Sequence, residues 1–328
     1  MMKAMVYEQY GPPEMLRLET VERPTPKADE VLVAVKASAV NFSSSATVRG
    51  KPMLVRLMSG LMAPKNPIPG GDIAGVVTAV GSAVQQFHVG DAVYADLSGW
   101  RWGGYAEYVS VPEKLLARMP ATLSFEQAAG VPEAAVVALQ GLRDLGKLQA
   151  GEEVLIQGAS GGIGTFAVQI AKAMGAVVTA VCSTRNVELV RELGADHVID
   201  YTREDFTQNG KLYDLILATV GYRPILEYRR SLAADGVYVA TGGTLRQIFE
   251  SLLLGPLLSR GGKRLANLLV RPNAADLAYV AQLIDSGQVK PVIDRMYPLE
   301  ETAAAIKYYE EGRSRGKVII QVQASEGV

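Results

Sequence analysis

The segment VLIQGASGGIG, residues 154–164, sets a glycine-rich turn between an apolar run and an amphipathic stretch, and few folds accommodate that arrangement. Val154 to Ile156 read as a buried parallel strand. Ile163, Phe166, Ala167, Ile170, Ala171 and Met174 then recur at helical spacing until Gly175 stops the helix. A second apolar strand, Ala176 to Cys182, follows at once and completes a βαβ unit. The glycines at 158, 161, 162 and 164 let backbone approach an anionic group closely. The helix behind them offers N–H groups without intrahelical partners, at the positive end of its dipole. Together they point to the pyrophosphate of a dinucleotide, held by Gly158, Ala159, Ser160, Gly161, Gly162, Ile163 and Gly164.

At 328 residues the chain exceeds the size at which one hydrophobic core keeps growing, so two domains are expected. Residues 1–122 are β-rich: Val31 to Ala37 alternate, Gly75 to Val80 and Ala92 to Tyr94 are short apolar runs, and Gly or Pro stands between them. From about residue 123 strands and helices alternate, with VLIQ, VVTAVC, HVIDY at 197–201, LILATV at 215–220 and VYVATGG at 237–243. This is the α/β rhythm of a doubly wound parallel sheet. Residues 245–287 read as mostly helical. Strand character resumes at Pro291 to Tyr297, a helix follows near Glu300 to Glu311, and Lys317 to Val322 form a last strand.

Lys and Arg total 33 against 34 Asp and Glu, so no global charge recruits nucleic acid or an anionic membrane. The N-terminal MMKAMVYEQYGPPE lacks an apolar core of signal-peptide length, and no stretch reaches the ~18 continuous apolar residues that span a bilayer. A cytoplasmic protein is expected. The apolar segment Ile248 to Leu258 reads as a core or interface helix. The single cysteine, Cys182, ends a buried strand and reads as an inert packed thiol.

In such a fold an acidic residue at the end of the second strand binds the ribose 2′-hydroxyl of NAD. Residues 179–187 read TAVCSTRNV, and the first carboxylate afterwards is Glu188, inside the next helix. Ser183, Thr184 and Arg185 instead offer two hydroxyls and a planar cation, suited to a 2′-phosphate, which favours NADPH. Helix capping by Ser183 or Thr184 is compatible with the same residues. Val220, Gly242 and Gly243 follow strand ends, where open α/β sheets place ligands.

The order and spacing of further stretches carry a resemblance over nearly the whole chain. They are VKASAVN at 35–41, PGGDIAGVVTAVG at 69–81, VGDAVYA at 89–95, GGYAEYVSVPE at 103–113, GASGGIG, GADHVIDY at 194–201 and RGKVIIQV at 315–322. The chain resembles a zinc-free medium-chain dehydrogenase/reductase of the quinone oxidoreductase, zeta-crystallin-like branch. The resemblance implies an α/β protein in which a GroES-like β-rich catalytic domain flanks an inserted Rossmann domain. It places the catalytic domain at residues 1–122 with a C-terminal return at 288–328, the NADP-binding domain at 123–287, and the active site in the cleft between them. It further implies that Tyr201 borders the adenosine end, that Asn41 reaches the nicotinamide-side ribose, with Lys317 a further cofactor contact, and that a homodimer forms.

Zinc-dependent relatives carry a Cys after VKASAV and a His-Glu pair in the PGHExxG segment. This chain has Asn41 and Gly71-Asp72 there. With one Cys and two His in all, His88 in a polar turn and His197 at a strand start, no tetrahedral N/S site is expected and no metal is assigned. Hydride transfer must then rely on hydrogen bonds where charge develops on oxygen, which suits quinones and α,β-unsaturated carbonyls. A metal-free carbonyl reductase or alcohol dehydrogenase, and a non-catalytic NADPH-binding structural or regulatory protein, are the alternatives. The Tyr common in quinone reductases shortly after the Asn41 position is replaced in NFSSSATVRGK. Ser43, Ser44, Ser45, Arg49, Lys51 and Tyr105 are candidates for its role, and the proton donor is left unassigned. The apolar set in Pro52 to Pro69, with Leu57 chief, joins Leu97, Trp100 and Trp102 as a substrate wall for a small apolar acceptor, or else completes the β-domain core.

Overall fold

The structure is a computed structural model that describes residues 1–242 and 245–323, apart from the side chains of residues 245–248. The chain divides into two compact units: Met1–Glu133, Arg271–Asp285 and Pro291–Val328 form one, Ala134–Val270 and Ser286–Lys290 the other. The division falls inside the helix Pro132–Leu139 rather than at the change of sequence rhythm near residue 122.

The second unit is built on a six-stranded sheet whose strands pair in parallel. Its order is His197–Asp200, Val177–Cys182, Glu153–Gln157, Tyr213–Ala218, Leu232–Ala240 and Arg264–Asn267. The first strand in sequence is therefore central, and the winding reverses between Glu153–Gln157 and Tyr213–Ala218, the place where such sheets bind nucleotides. The central strands are buried on both faces, as their unbroken apolar runs require. Tyr228 and Tyr238 stack in the core with ring centroids 4.6 Å apart, and the Tyr228 hydroxyl donates to Gln157 Oε1 at 2.5 Å. The edge strand Arg264–Asn267 interrupts a stretch whose composition predicts helix. RLAN has too few residues to display a period of two, and pairing with Leu232–Ala240 decides its state.

In the first unit the strand Glu30–Val40 is the axis of a seven-stranded sheet. Asp72–Val80 pairs antiparallel along one edge. The other edge is shared by Tyr108–Pro112 and the C-terminal strand Lys317–Gln321, the latter in register Val318 to Val40. This register brings Lys317 beside the end of Glu30–Val40, where Asn41 begins the helix Phe42–Arg49. Val31, Val33, Val35, Ile73, Val77, Val93, Leu97 and Val111 fill the core beneath. Leu97 is wholly buried in that core, which corrects its expected place on a substrate wall: the bond from its N–H to Gly71 O pulls the chain inward after the strand Ala92–Asp96. Among the described residues no helix is long and apolar enough to cross a membrane.

Candidate functional site

The glycine turn joins Glu153–Gln157 to the helix Gly162–Ala173. Gly158 has φ +77°, and a Cβ there would lie 2.5 Å from Thr219 Oγ1, so the position demands glycine on both counts. Gly164 faces the turn so closely that a Cβ would meet Gly158 O at 2.1 Å. Gly161 is different: a Cβ there would touch only Gly158 O, at 3.5 Å, and otherwise point into open space. Gly161 opens the helix without a capping side-chain bond, and the first intrahelical bond comes from Thr165 N to Gly161 O at 2.9 Å. The N–H groups of Gly162, Ile163 and Gly164 thus head a 12-residue helix beside open space, which fits a pyrophosphate.

Ser160 Oγ accepts a bond from Asn186 Nδ2 at 2.8 Å, and the same amide reaches Ser183 Oγ at 3.2 Å. Asn186, buried after the strand Val177–Cys182, ties the glycine turn to the segment expected to read the ribose. Nothing in the sequence singles it out. Ser183 precedes a single turn of 3₁₀ helix, Thr184–Asn186, without a side-chain capping bond, and Thr184 and Arg185 are exposed. Thr184 Oγ1 donates instead to Asp200 Oδ2 at 2.5 Å. A carboxylate therefore does stand beside this segment, supplied by the neighbouring strand through the register Asp200 to Cys182. Cys182 is buried, and burial pushes its thiol up to about 11, with Asp200 adding to the effect, so it is an inert packing group.

Tyr201 is half exposed and meets Tyr222 edge to face with centroids 6.3 Å apart. Val220 is exposed beside Gly158, and Gly242 lies so close to Thr219 that a Cβ would meet its carbonyl at 2.6 Å. Gly243 lies outside the described residues.

The first unit holds a second constellation. Asn41 is buried: its Nδ2 donates to Asp72 Oδ2 at 2.8 Å, its Oδ1 accepts from Lys317 Nζ, and Lys317 Nζ lies 3.4 Å from Asp72 Oδ2. Asn41 and Lys317, named as separate cofactor contacts, are thus direct partners around a buried carboxylate. Asp72 Oδ1 accepts the backbone N–H of Glu133 at 2.9 Å, and Glu133 Oε2 accepts from Ser43 Oγ. One carboxylate oxygen from each of Asp72, Asp96 and Glu133 lies within 4.8 Å of the others. Burial raises all three. Glu133 is pushed up to about 8 with Asp96 and Asp72 adding repulsion, Asp96 to about 6 with Asp72 adding, and Asp72 upward against the pull of Lys317 and its hydrogen bonds. Asp72 appeared in the sequence only in the Gly71-Asp72 pair that stands where zinc-dependent relatives have a His-Glu pair. Asp96 and Glu133 were missed altogether, although a lone acid in the apolar stretch 128–139 is a visible anomaly.

Of the other proton-donor candidates, Ser44 Oγ accepts the Asn41 backbone N–H at 3.0 Å and the hydroxyl of the wholly buried Tyr105 at 3.2 Å. Ser45 and Arg49 both bind Glu310, at 2.6 Å each. Leu57 and Trp100 are exposed, while the Trp102 ring lies 3.3 Å from where a Gly71 Cβ would stand. Of possible zinc ligands, Cys182 belongs to the other unit, and His88 and His197 are exposed. These do not make the Cys/His set that zinc takes, and the Lys317 ammonium lies 3.4 Å from Asp72 Oδ2.

The profile of the alcohol dehydrogenase GroES-like domain family matches residues 27–121, and that of the zinc-binding dehydrogenase family matches residues 193–320. The chain is 33% identical over 336 residues to the chloroplast envelope quinone oxidoreductase homolog of Arabidopsis thaliana, covering 98% of each. It is 34% identical to the chloroplastic NADPH-dependent alkenal/one oxidoreductase of the same plant, over 97% of this chain and 79% of that one. The structure superposes on the quinone oxidoreductase from Coxiella burnetii with a TM-score of 0.88 at 29% identity, over 98% and 99% of the two chains. With the six-stranded nucleotide-binding sheet and the GroES-like sheet in place, the chain belongs to the medium-chain dehydrogenase/reductase superfamily, among the quinone oxidoreductase homologues.

Proposed function

We propose that this chain uses NADPH to reduce quinones or α,β-unsaturated carbonyl compounds without a metal. It is an oxidoreductase of its superfamily, and its cofactor is NADPH. The observation that carries the reading is the fate of the zinc-ligand positions: Asn41 and Asp72 are bonded to one another and to Lys317.

Bound NADPH supplies a hydride. The turn Gly158 to Gly164 would hold the pyrophosphate, and Ser183, Thr184 and Arg185 would take the 2′-phosphate, with Asp200 holding the Thr184 hydroxyl in place. Without a Lewis acid the protein must stabilise the oxygen on which charge develops by hydrogen bonds. Conjugated acceptors need least help, because the incoming electron pair spreads onto an oxygen that a weak donor can then protonate.

The test follows NADPH absorbance with a quinone, an enone, an aldehyde and no acceptor. Turnover of the quinone or enone supports the reading, turnover of the aldehyde alone replaces it with a carbonyl reductase, and tight NADPH binding without turnover makes the chain a binding protein. For the cofactor, Arg185→Ala is expected to raise the KM for NADPH about tenfold or more and leave that for NADH unchanged, as loss of one charge-assisted phosphate contact implies. Equal effects on the two cofactors would remove Arg185 from the 2′-phosphate site. We further propose a cytoplasmic homodimer. The face of helix Leu245–Leu258 that exposes Phe249, Leu252, Leu253 and Leu257 supports self-association. Leu253→Asp is expected to yield monomers in size-exclusion chromatography with light scattering, and an unchanged mass would exclude this face.

A further inference from the structure

The metal-free reduction proposed above leaves an acceptor that must gain a proton, and the first unit contains an unusual store of them. Three carboxyl groups, Asp72, Asp96 and Glu133, share one locale with a single ammonium, Lys317. Asp72 and Lys317 are at most 3% exposed. Ionising all three acids would leave two negative charges without a partner, and each such charge costs several kcal/mol when removed from water. The cluster therefore keeps protons at neutral pH. A second observation marks the same locale: Asp96 is 3% exposed, its Oδ1 accepts the Ser98 N–H at 2.8 Å, and its buried Oδ2 has no partner among the described residues, so an ionised Asp96 adds a poorly compensated charge that favours the acid form of Glu133.

The three acids differ in their connection to the surface. Asp72 is closed in by Asn41, Lys317 and the Glu133 N–H. Glu133 is only partly buried and is joined to the hydroxyl of Ser43, itself partly buried and next to the exposed Phe42. Groups of other elements also bear on Glu133: Asp72 and Asp96 from two strands, Lys317 from the C-terminal strand, and the hydroxyls of the buried Tyr105 and the partly buried Tyr309. Lys317 and the hydrogen bond donated by Ser43 favour its ionised form, and the burial of the site, with the charges of Asp96 and Asp72, outweighs them.

We propose that Glu133, acting through the Ser43 hydroxyl, supplies the proton that completes the reduction. The hydride adds to carbon, and the displaced π pair comes to rest on the acceptor oxygen. The Ser43 O–H proton passes to that oxygen, the Glu133 carboxylic acid proton passes to Ser43, and the resulting carboxylate is reprotonated from water. Electrons come only from the hydride, and one proton is consumed per turnover. Ser43 is the group that touches the acceptor, and Glu133 is a positioning and proton-holding residue behind it.

The proposal rests on the reductase reading, and its test separates the two. In the cofactor-free protein, infrared difference spectra are expected to show a protonated carboxyl band that titrates near pH 8 and is missing in Glu133→Gln. With quinone or enone, kcat of the wild type is expected to fall above about pH 8, where the acid form is lost. Glu133→Gln is expected to lower kcat about 100-fold with little change in KM and to erase that limb. Glu133→Asp should restore part of the rate and the limb, and Ser43→Ala should lower kcat while leaving the carboxyl band in place. Failure of both acceptors to turn over in the wild type would overturn the reductase reading. Turnover with an unchanged profile in Glu133→Gln and in Ser43→Ala would overturn the proton route alone. Stabilisation by Mn²⁺ or Mg²⁺ that Glu133→Gln abolishes would also overturn it, by making the three acids a cation site.

Discussion

Gly164→Ala is expected to weaken NADPH binding by about 100-fold and to lower the melting temperature of the nucleotide-binding unit. The added Cβ would stand 2.1 Å from Gly158 O and 2.7 Å from Ala159 Cα, and both neighbours are backbone that cannot rotate away. Relief requires the turn to lift off the helix, at the ~1–3 kcal/mol typical of overpacking, which at the upper end corresponds to about a hundredfold in affinity. Gly161→Ala is the informative companion. Its φ of −82° suits any residue, and the new methyl meets only Gly158 O at 3.5 Å, so the fold should melt as before. NADPH binding should nonetheless fall, because the methyl enters the space left for the pyrophosphate. Fluorescence titration with NADPH and thermal melts of both variants make the check. If Gly161→Ala binds NADPH like the parent, the pyrophosphate does not lie where this turn faces.

These two glycines explain why the nucleotide-binding unit was legible in the sequence. Strand, turn and helix are consecutive there, so the apolar period and the glycine chemistry report on one another within Val154 to Met174. The same locality hid Asp200. Its approach to Thr184 depends on two parallel strands lying in register, which no spacing along the chain announces. Leu97 was misread because its neighbours Trp100 and Trp102 suggest an apolar surface, whereas a single backbone bond to Gly71 O turns it into the core. Arg264–Asn267 was read as helix because four residues carry no period of their own.

The carboxyl cluster shows the same limit at the level of chemistry. Asp72, Asp96, Glu133 and Lys317 come from four segments, and Lys317 reaches Asp72 only because the last strand pairs with Glu30–Val40. A resemblance located Asn41 and Lys317 as residues of interest. It did not reveal that they hold one another, or that they enclose a carboxylate.

Lys317→Met is expected to destabilise the first unit strongly. Lys317 is the ammonium bonded to Asp72 and Asn41 and the nearest compensation for Asp96 and Glu133, and both it and Asp72 are almost wholly buried. Removing one partner of a buried ion pair leaves the other charge stranded, at ~3–5 kcal/mol. In a unit of this size that lowers the melting temperature on the order of 10 °C. The sign of the pH dependence follows from the carboxyls. Their folded pKa values already lie above the unfolded ones, and loss of the ammonium raises them further, so the folded variant binds more protons than the unfolded chain across this range. Stability of Lys317→Met should therefore recover as pH falls from 8 to 5, and its deficit relative to the parent should shrink with it. Adding Asp72→Asn removes the stranded charge while keeping an acceptor for the Glu133 N–H and should restore part of the loss at pH 8. Calorimetric melts of the parent, single and double variants at pH 5 and pH 8 decide the matter: a deficit independent of pH, with no recovery in the double variant, would mean that Lys317 acts by packing rather than by charge.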